Sequence, residues 1–233
     1  MGKKQENDGL NSEIRHTDNG LRMAALFDLD GVIVDTEGEY SIFWKRIGER
    51  YFPQQPTFDI DIKGSTLVEI LQRYFGNDQE KIAEIHQGLS ELEHAMTYPY
   101  IKGVIPFLSK LKEAGILTVV VTSSNREKMA EVWRVHPELR SMFDSVLTAE
   151  DFSKSKPNGE CYVKAAAKLG VAKQHCVVFE DSRNGLLAGR DAGMQVVGLS
   201  TTLPKAEVEG LANSTVDDFS DFDVKNLQQM LSR

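Results

Sequence analysis

The chain of 233 residues is 41% hydrophobic and 27% charged, which is typical of a globular protein with one large domain or a domain carrying an insert. Its formal net charge of −8 argues against nucleic acid and anionic membranes as partners, because both are negatively charged. No apolar run reaches the ~18 residues of a membrane span, and residues 1–21 form a polar extension without the apolar segment of a secretory signal. We therefore expect a cytoplasmic protein that has neither nucleic-acid nor membrane partners. A monomer is expected, with an oligomer as the open alternative.

The first predicted element is a short buried strand at residues 23–27, which ends in the turn sequence DLDG. From about residue 39 to residue 96, apolar side chains recur at helical spacing, as in Trp44, Ile47 and Tyr51, and no strand-like run interrupts them. This pattern predicts a small helical bundle inserted directly after the first strand.

From residue 103 onward, predicted helices and strands alternate, and one of the helices is expected to open at Pro157 and run to Gly170. Strands separated by helices indicate an α/β fold, a doubly wound, Rossmann-like parallel sheet that here carries an inserted α-helical domain. The later strand-like runs are residues 116–122, 143–148, 175–180 and 194–199. The predicted domain limits are 1–21 for the polar extension, 22–37 and 99–233 for the α/β core, and 38–98 for the helical insert.

We predict no catalytic or metal-binding role for the two cysteines, or for the two histidines of the insert. Cys161 and Cys176 are expected to be buried thiols, and a disulfide between them is the less favoured alternative. His86 and His94 are interpreted as solvated helix positions rather than metal ligands. The sequence contains no dinucleotide-binding glycine motif, no Walker A motif, no G-x-S-x-G and no H-E-x-x-H.

Polar side chains follow four of the strand-like runs. Ligands of open α/β folds bind at the edge of the sheet where the carboxyl ends of parallel strands meet, so we expect these side chains to converge. Each alone has a plainer interpretation, since surface acids are common and a single lysine is usually solvated, but their occurrence in order indicates a site. They are Asp28 and Asp30 after the first run, Thr122, Ser123 and Ser124 after the second, Lys156 beyond the third, and Glu180 and Asp181 at the fourth.

The crowding of these acids predicts a bound cation. Asp28 and Asp30 are separated by one residue, and extended backbone turns such side chains toward the same side. At ~4 Å and an effective dielectric constant near 20, two like charges repel by roughly 4 kcal/mol. With Glu180 and Asp181 added, the repulsion among the carboxylates requires a bound cation. A hard divalent ion that prefers oxygen ligands is expected, and Mg²⁺ fits best. Lys156 adds a positive charge that can bind a phosphoryl oxygen, so the set suits phosphoryl transfer.

Four segments together resemble the motifs of the haloacid dehalogenase superfamily, in its β-phosphoglucomutase-like branch. They are FDLDGVIVDTE, VVVTSS, SKP and EDSRNGLLAGRDAGM, and the resemblance extends from about Arg22 to the C-terminus. It implies that Asp28 is a nucleophile that forms an aspartyl-phosphate and that Asp30 is the general acid/base. It also implies that Thr122 and Lys156 anchor the phosphate.

The same resemblance implies further contacts and a cofactor. Mg²⁺ would be held by Asp28, by the backbone carbonyl of Asp30 and by Asp181, with Glu180 nearby or bound through water. The insert corresponds to the helical cap that closes over the substrate in this family. Residues implied to contact phosphate or substrate are Leu29, Asp30, Thr122, Ser123, Ser124 and Lys156 of the core, and Lys63 and Gly64 of the cap.

At two positions this chain differs from the sugar-phosphate mutases of the family, which bears on the reaction it catalyses. The sugar-phosphate mutases carry a histidine where an ungapped alignment gives Tyr40 here, and an arginine that binds the distal phosphate where this chain has Leu67. Without that arginine a bisphosphate intermediate is harder to hold, which favours hydrolysis. We therefore predict a Mg²⁺-dependent phosphatase whose partner is a small phosphorylated metabolite, such as a sugar phosphate. The alternatives are a sugar-phosphate mutase and, from a different class, a non-hydrolytic phospho-receiver or binding protein.

Overall fold

A computed structural model describes residues 22–63 and 65–232, so the predicted extension at residues 1–21 lies outside the described residues. Six parallel strands form one sheet in the described part of the chain. They are β1 (Ala24–Phe27), β2 (Leu117–Val121), β3 (Ser145–Leu147), β4 (Cys176–Glu180), β5 (Gln195–Leu199) and β6 (Ser214–Val216), in the spatial order β3-β2-β1-β4-β5-β6.

β1 lies in the interior of the sheet between β2 and β4, and Phe27 is opposite Val120 on one side and Phe179 on the other. The rings of Phe27 and Phe179 stack with centroids 4.6 Å apart. All four residues of β1 are buried, as expected of a parallel strand that is covered on both faces. The order of the strands reverses direction at β1, and this is the position where doubly wound sheets bind ligands.

Helices cover both faces of the sheet because alternate residues of each strand point to opposite sides. Ala25 and Phe27 pack into the hydrophobic cluster that includes α5 (Val104–Glu113), α6 (Arg126–Val135) and α10 (Val224–Leu231). Ala24 and Leu26 pack into the second cluster, which includes α7 (Glu160–Leu169), α8 (Arg183–Asp191) and α9 (Lys205–Leu211). The predicted doubly wound α/β fold is confirmed.

The helical insert has a hydrophobic core of its own. Its helices are α1 (Glu37–Tyr51), α2 (Phe58–Asp61), α3 (Leu67–Phe75) and α4 (Gln79–Ala95), all between β1 and α5. Trp44, Ile70 and Ile85, one from each long helix, are buried together with Phe58. The predicted inserted helices are therefore present. The exact domain limits stay predictions, and α1 begins at Glu37, the last residue that the sequence assigned to the core.

One helix begins later than expected, and two short elements were not predicted. The helix expected to open at Pro157 begins at Glu160, because a turn comes first and Gly159 donates its N–H to Asp191 Oδ2 (2.8 Å). α9 and β6 were not predicted.

Cys161 and Cys176 are free and buried, as expected. No helix in residues 22–63 and 65–232 combines the length and the apolar character needed to cross a membrane.

Candidate active site

The predicted site residues stand at the carboxyl ends of three adjacent strands. Asp28 directly follows β1, Thr122 follows β2, and Glu180 is the last residue of β4. The N–H of Asp28 donates to Phe179 O (3.0 Å) and that of Thr122 to Leu147 O (3.0 Å), so the hydrogen bonding of the sheet continues into both residues. Their positions are therefore determined by the most regular part of the fold.

Three carboxylates meet at this edge. One oxygen from each of Asp28, Glu180 and Asp181 lies within 4.8 Å of the others, and all three residues are buried. Burial raises the pKa of Asp28 to about 7. The negative charges of Glu180 and Asp30 contribute to this rise, and the positive charge of Lys156 opposes it only in part. Burial and the neighbouring Glu180 likewise raise the pKa of Asp181 well above its usual range. An all-oxygen donor set with this excess of negative charge fits a hard divalent cation such as Mg²⁺.

Lys156 joins two of these acids. Its side chain is 2% exposed, and its Nζ donates to Asp28 Oδ1 (2.6 Å), Glu180 Oε1 (2.6 Å) and Val121 O (3.2 Å). Burial alone would lower the pKa of Lys156, but the carboxylates of Asp28 and Glu180 outweigh it and raise the pKa. The ammonium group therefore stays charged beside Asp28, where it can hold a phosphoryl oxygen.

Glu180 lies behind the site and supports Lys156. It is completely buried, and Tyr162 donates its hydroxyl to Glu180 Oε1 (2.6 Å). Glu180 Oε2 accepts from Asp181 N (3.2 Å) and from Ser182 Oγ (3.2 Å). Both oxygens of this buried carboxylate therefore have hydrogen-bond donors, as a buried polar group requires.

Gly31 is required beside Asp181. Its φ of +72° is a left-handed conformation, and a Cβ at this position would come within 2.0 Å of Asp181 Oδ2. The same turn is held by Thr201, which donates its hydroxyl to Gly31 O (2.6 Å), while the Thr202 hydroxyl donates to Asp181 Oδ2. The turn after β1 and the loop after β5 thus fix Asp181 from two sides.

Asp30 has an environment that the sequence did not predict. Lys128, in the first turn of α6, donates to Asp30 Oδ1 (2.5 Å), and so does the Thr36 hydroxyl. Ser124 Oγ donates to Asp30 Oδ2 (3.1 Å). The Lys128 ammonium also lies 4.2 Å from the ring centroid of Tyr40 in α1. A lysine on an amphipathic helix is usually solvated, so no signal in the sequence distinguishes Lys128.

A cavity of about 650 Å³ joins these residues to the insert. From the core it is lined by Asp28, Asp30, Thr122, Ser123, Ser124, Lys156 and Asp181, and from the insert by Lys63, Tyr40 and Leu67 among others. Leu29 is buried in the hydrophobic core, so it could reach a ligand only through its backbone. Gly64 lies outside the described residues. His86 and His94 are both exposed.

Polar contacts connect the insert to the core around this cavity. Asn184 Nδ2 in α8 donates to Lys63 O (2.7 Å), and Ser155 Oγ donates to Glu69 Oε1 (2.5 Å). Glu69 also forms a capping box with Thr66 at the start of α3. Lys63 forms an ion pair with Glu37 (2.5 Å). The loop before α3 is therefore attached to the core beside the acid cluster.

Among enzymes built on a doubly wound sheet, such an arrangement is that of a phosphoryl-transfer enzyme. A comparison with protein families supports this class, because the family model described as haloacid dehalogenase-like hydrolase matches residues 25–199. The chain belongs to the haloacid dehalogenase-like hydrolase family.

Curated relatives and solved structures are similar over most of their length. Hexitol phosphatase A of Escherichia coli (strain K12) is 31% identical, and the match covers 75% of this chain and 82% of that protein. Validoxylamine A 7'-phosphate phosphatase of Streptomyces hygroscopicus subsp. limoneus is 29% identical, with 82% and 91% covered. The crystal structure of β-phosphoglucomutase from Clostridium difficile superimposes with a TM-score of 0.73 at 24% identity, covering 91% and 98%, which shows the shared fold.

Proposed function

We propose that this protein is a Mg²⁺-dependent phosphatase that hydrolyses a small phosphate ester, such as a sugar phosphate. The observation that carries the proposal is the buried group of Asp28, Glu180 and Asp181 within 4.8 Å, with Lys156 at 2.6 Å from Asp28. Phosphoryl transfer depends mainly on alignment and on neutralising charge, and these residues supply both. The two relatives described above are named as phosphatases of small molecules, which supports the same activity.

In the proposed reaction Asp28 attacks the phosphorus atom and the P–O bond to the alcohol breaks. Asp30 gives its proton to the departing alkoxide, and an aspartyl-phosphate remains on Asp28. Asp30 then takes a proton from a water molecule, which attacks the phosphorus and releases inorganic phosphate from Asp28. Thr122 and Lys156 hold the phosphoryl oxygens during both steps.

The proposed metal ligands are Asp28, Asp181 and the backbone carbonyl of Asp30, with Glu180 close enough to contribute through water. When bound, Mg²⁺ would neutralise the negative charge of the phosphoryl group and of the surrounding carboxylates. Lys156 would add a second positive charge at the site, because its Nζ is already in contact with the Asp28 carboxylate.

A sugar-phosphate mutase is the alternative within the same fold. It would have to hold a second phosphate, yet no arginine is found among the described residues that line the cavity, where Tyr40 and Leu67 occupy the positions discussed above. An assay that couples formation of the isomerised sugar phosphate to a dehydrogenase measures this activity directly. Hydrolysis without isomerisation is the expected result.

The nucleophile is tested by replacing Asp28 with asparagine. Asp28→Asn is expected to abolish release of phosphate from a panel of sugar phosphates in the presence of Mg²⁺, because the amide is not a nucleophile toward phosphorus. The thermal transition measured by circular dichroism should remain. Asp30→Asn is expected to lose nearly as much activity. Wild-type rates from Asp28→Asn would contradict the assignment.

A further inference from the structure

The charges that line the cavity outside the phosphoryl site are unevenly distributed. We use the term outer cavity for the part lined by residues other than Asp28, Asp30, Thr122, Lys156 and Asp181, which belong to the proposed phosphoryl site. Its described cations are two lysines, Lys63 and Lys128. Its carboxylates are Glu37, Asp59, Glu69, Glu93 and Glu150.

Both lysines of the outer cavity are already paired with a carboxylate. Lys63 Nζ lies 2.5 Å from Glu37 Oε2, with both side chains 22% exposed. Lys128 Nζ lies 2.5 Å from Asp30 Oδ1, and the Lys128 side chain is only 5% exposed. Each pair compensates the positive charge of its lysine, so the other carboxylates leave the outer cavity with an excess of negative charge.

Glu93 extends the negative charge to the insert side of the cavity. It is located in α4, and its Oε1 accepts the hydroxyl of Tyr40 (2.8 Å), whose ring packs on Lys128. Carboxylates such as Glu93 can accept hydrogen bonds from the hydroxyl or ammonium groups of a ligand, but they repel a carboxylate or a phosphate.

We propose that the outer cavity selects phosphate monoesters whose organic part is uncharged or cationic and rejects those with a second anionic group. The inference rests on the proposed function, because it takes the phosphoryl group to lie at Asp28. A polyhydroxylated alcohol or an amino sugar finds acceptors in this cavity. A bisphosphate or a phosphorylated sugar acid would place its second anionic group near these carboxylates, and the charge of both lysines is already compensated. A volume of about 650 Å³ matches a ligand of this size.

Two matched pairs of compounds test the charge directly. Sorbitol 6-phosphate and 6-phosphogluconate differ at carbon 1, where a hydroxymethyl group is replaced by a carboxylate. Glucose 6-phosphate and glucosamine 6-phosphate differ by an ammonium group. We expect kcat/KM for 6-phosphogluconate to be at least about 30-fold below that for sorbitol 6-phosphate, from the repulsion between like charges in a partly dry cavity. Glucosamine 6-phosphate should equal or exceed glucose 6-phosphate. Equal values within the first pair would overturn the inference.

A binding measurement distinguishes a failure of this inference from a failure of the proposed phosphatase activity. The four compounds are titrated calorimetrically into the Asp28→Asn variant with Mg²⁺ present, so no turnover is needed. If the wild type hydrolyses none of them, the proposed phosphatase fails, whereas the order of binding affinities still tests the charge selection. Affinity for 6-phosphogluconate equal to that for sorbitol 6-phosphate contradicts the selection even if the enzyme is active.

Two variants in α4 test whether the charge selection arises from the outer cavity. Glu93→Gln removes a charge from the cavity wall while its amide oxygen can still accept the Tyr40 hydroxyl, so the preference for sorbitol 6-phosphate should shrink by about threefold or more. Glu91→Gln removes the same charge from an exposed position of α4 that does not line the cavity. It should leave the preference unchanged. The same change in both variants, or none in Glu93→Gln, would contradict the role of the outer cavity.

Discussion

The carboxylate of Asp30 is held by donors from three separate parts of the chain. Lys128 comes from α6, Thr36 precedes α1, and Ser124 follows β2. A carboxylate that must exchange a proton with both an alcohol and a water molecule needs a defined orientation, because proton transfer requires hydrogen-bond distances. Lys128 is therefore expected to position Asp30 rather than to touch the substrate.

Replacing Lys128 with methionine tests this role. Lys128→Met keeps the unbranched stem of the side chain but removes the charged end. We therefore expect kcat to fall by about 10- to 100-fold while KM changes little, as expected when a group is lost that assists proton transfer. Lys110→Met, at an exposed position of α5, is the control. Steady-state kinetics on a sugar phosphate provide both constants. An unchanged kcat, or a rise confined to KM, would show that Lys128 does not act through Asp30.

The sequence predicts the acids at the strand ends and some of their neighbours, but it does not indicate Lys128 and Thr202. Asp28, Thr122 and Asp181 each follow an apolar run, and the rule for parallel sheets predicts their position at one edge of the sheet. Lys128 and Thr202 come from a helix and a loop whose local sequence shows no sign of the site. Their role depends on how α6 and the loop after β5 pack, which side-chain periodicity does not reveal.

The close approach of α8 to β4 depends on a small residue. A Cβ on Gly185 would come within 1.9 Å of the Glu180 carboxylate, the group that supports Lys156. Gly185→Ala should therefore destabilise the protein by about 1–3 kcal/mol, since extra atoms in a packed interior force side chains to move, and it should lower kcat by displacing Lys156. Urea unfolding measures the first effect and phosphate release the second.

Gly210 provides the matched control for that prediction. It also lies in a helix, α9, but a Cβ there has no neighbour within 4 Å. Gly210→Ala should leave activity intact and raise the stability by up to about 1 kcal/mol, the difference in helix propensity between the two residues. Equal losses in both variants would mean that the crowding at Glu180 is unimportant.

Elements with a long apolar pattern were predicted well, and short ones were missed. α9 has seven residues with Val208 as its buried residue, and β6 has three residues that are all half-buried. Neither contains enough apolar positions to establish a period. β6 is recognisable only from its pairing with β5, where Val197 is opposite Ser214. The existence of such an edge strand depends on the sheet, which the local sequence does not encode.

At the scale of the whole molecule, the buried charges of the described residues are concentrated in one region between the sheet and the insert. Asp28, Glu180 and Asp181 are buried there with Lys156 as the cation in contact with two of them. Such an excess of buried acid opposes folding unless a cation or protons balance it. The stability of the folded chain should therefore depend on the metal proposed for the site.

Thermal unfolding with and without Mg²⁺ tests this dependence. A ligand at 100 times its dissociation constant stabilises the folded state by about 2.7 kcal/mol, which corresponds to a rise in Tm of roughly 5–10 °C for a protein of this size. Asp181→Asn should lose most of that rise, because it removes a proposed ligand. Asp221→Asn removes an exposed acid and should keep the full rise. Sodium chloride at equal ionic strength controls for screening. If both variants respond like the wild type, the acid cluster does not bind Mg²⁺.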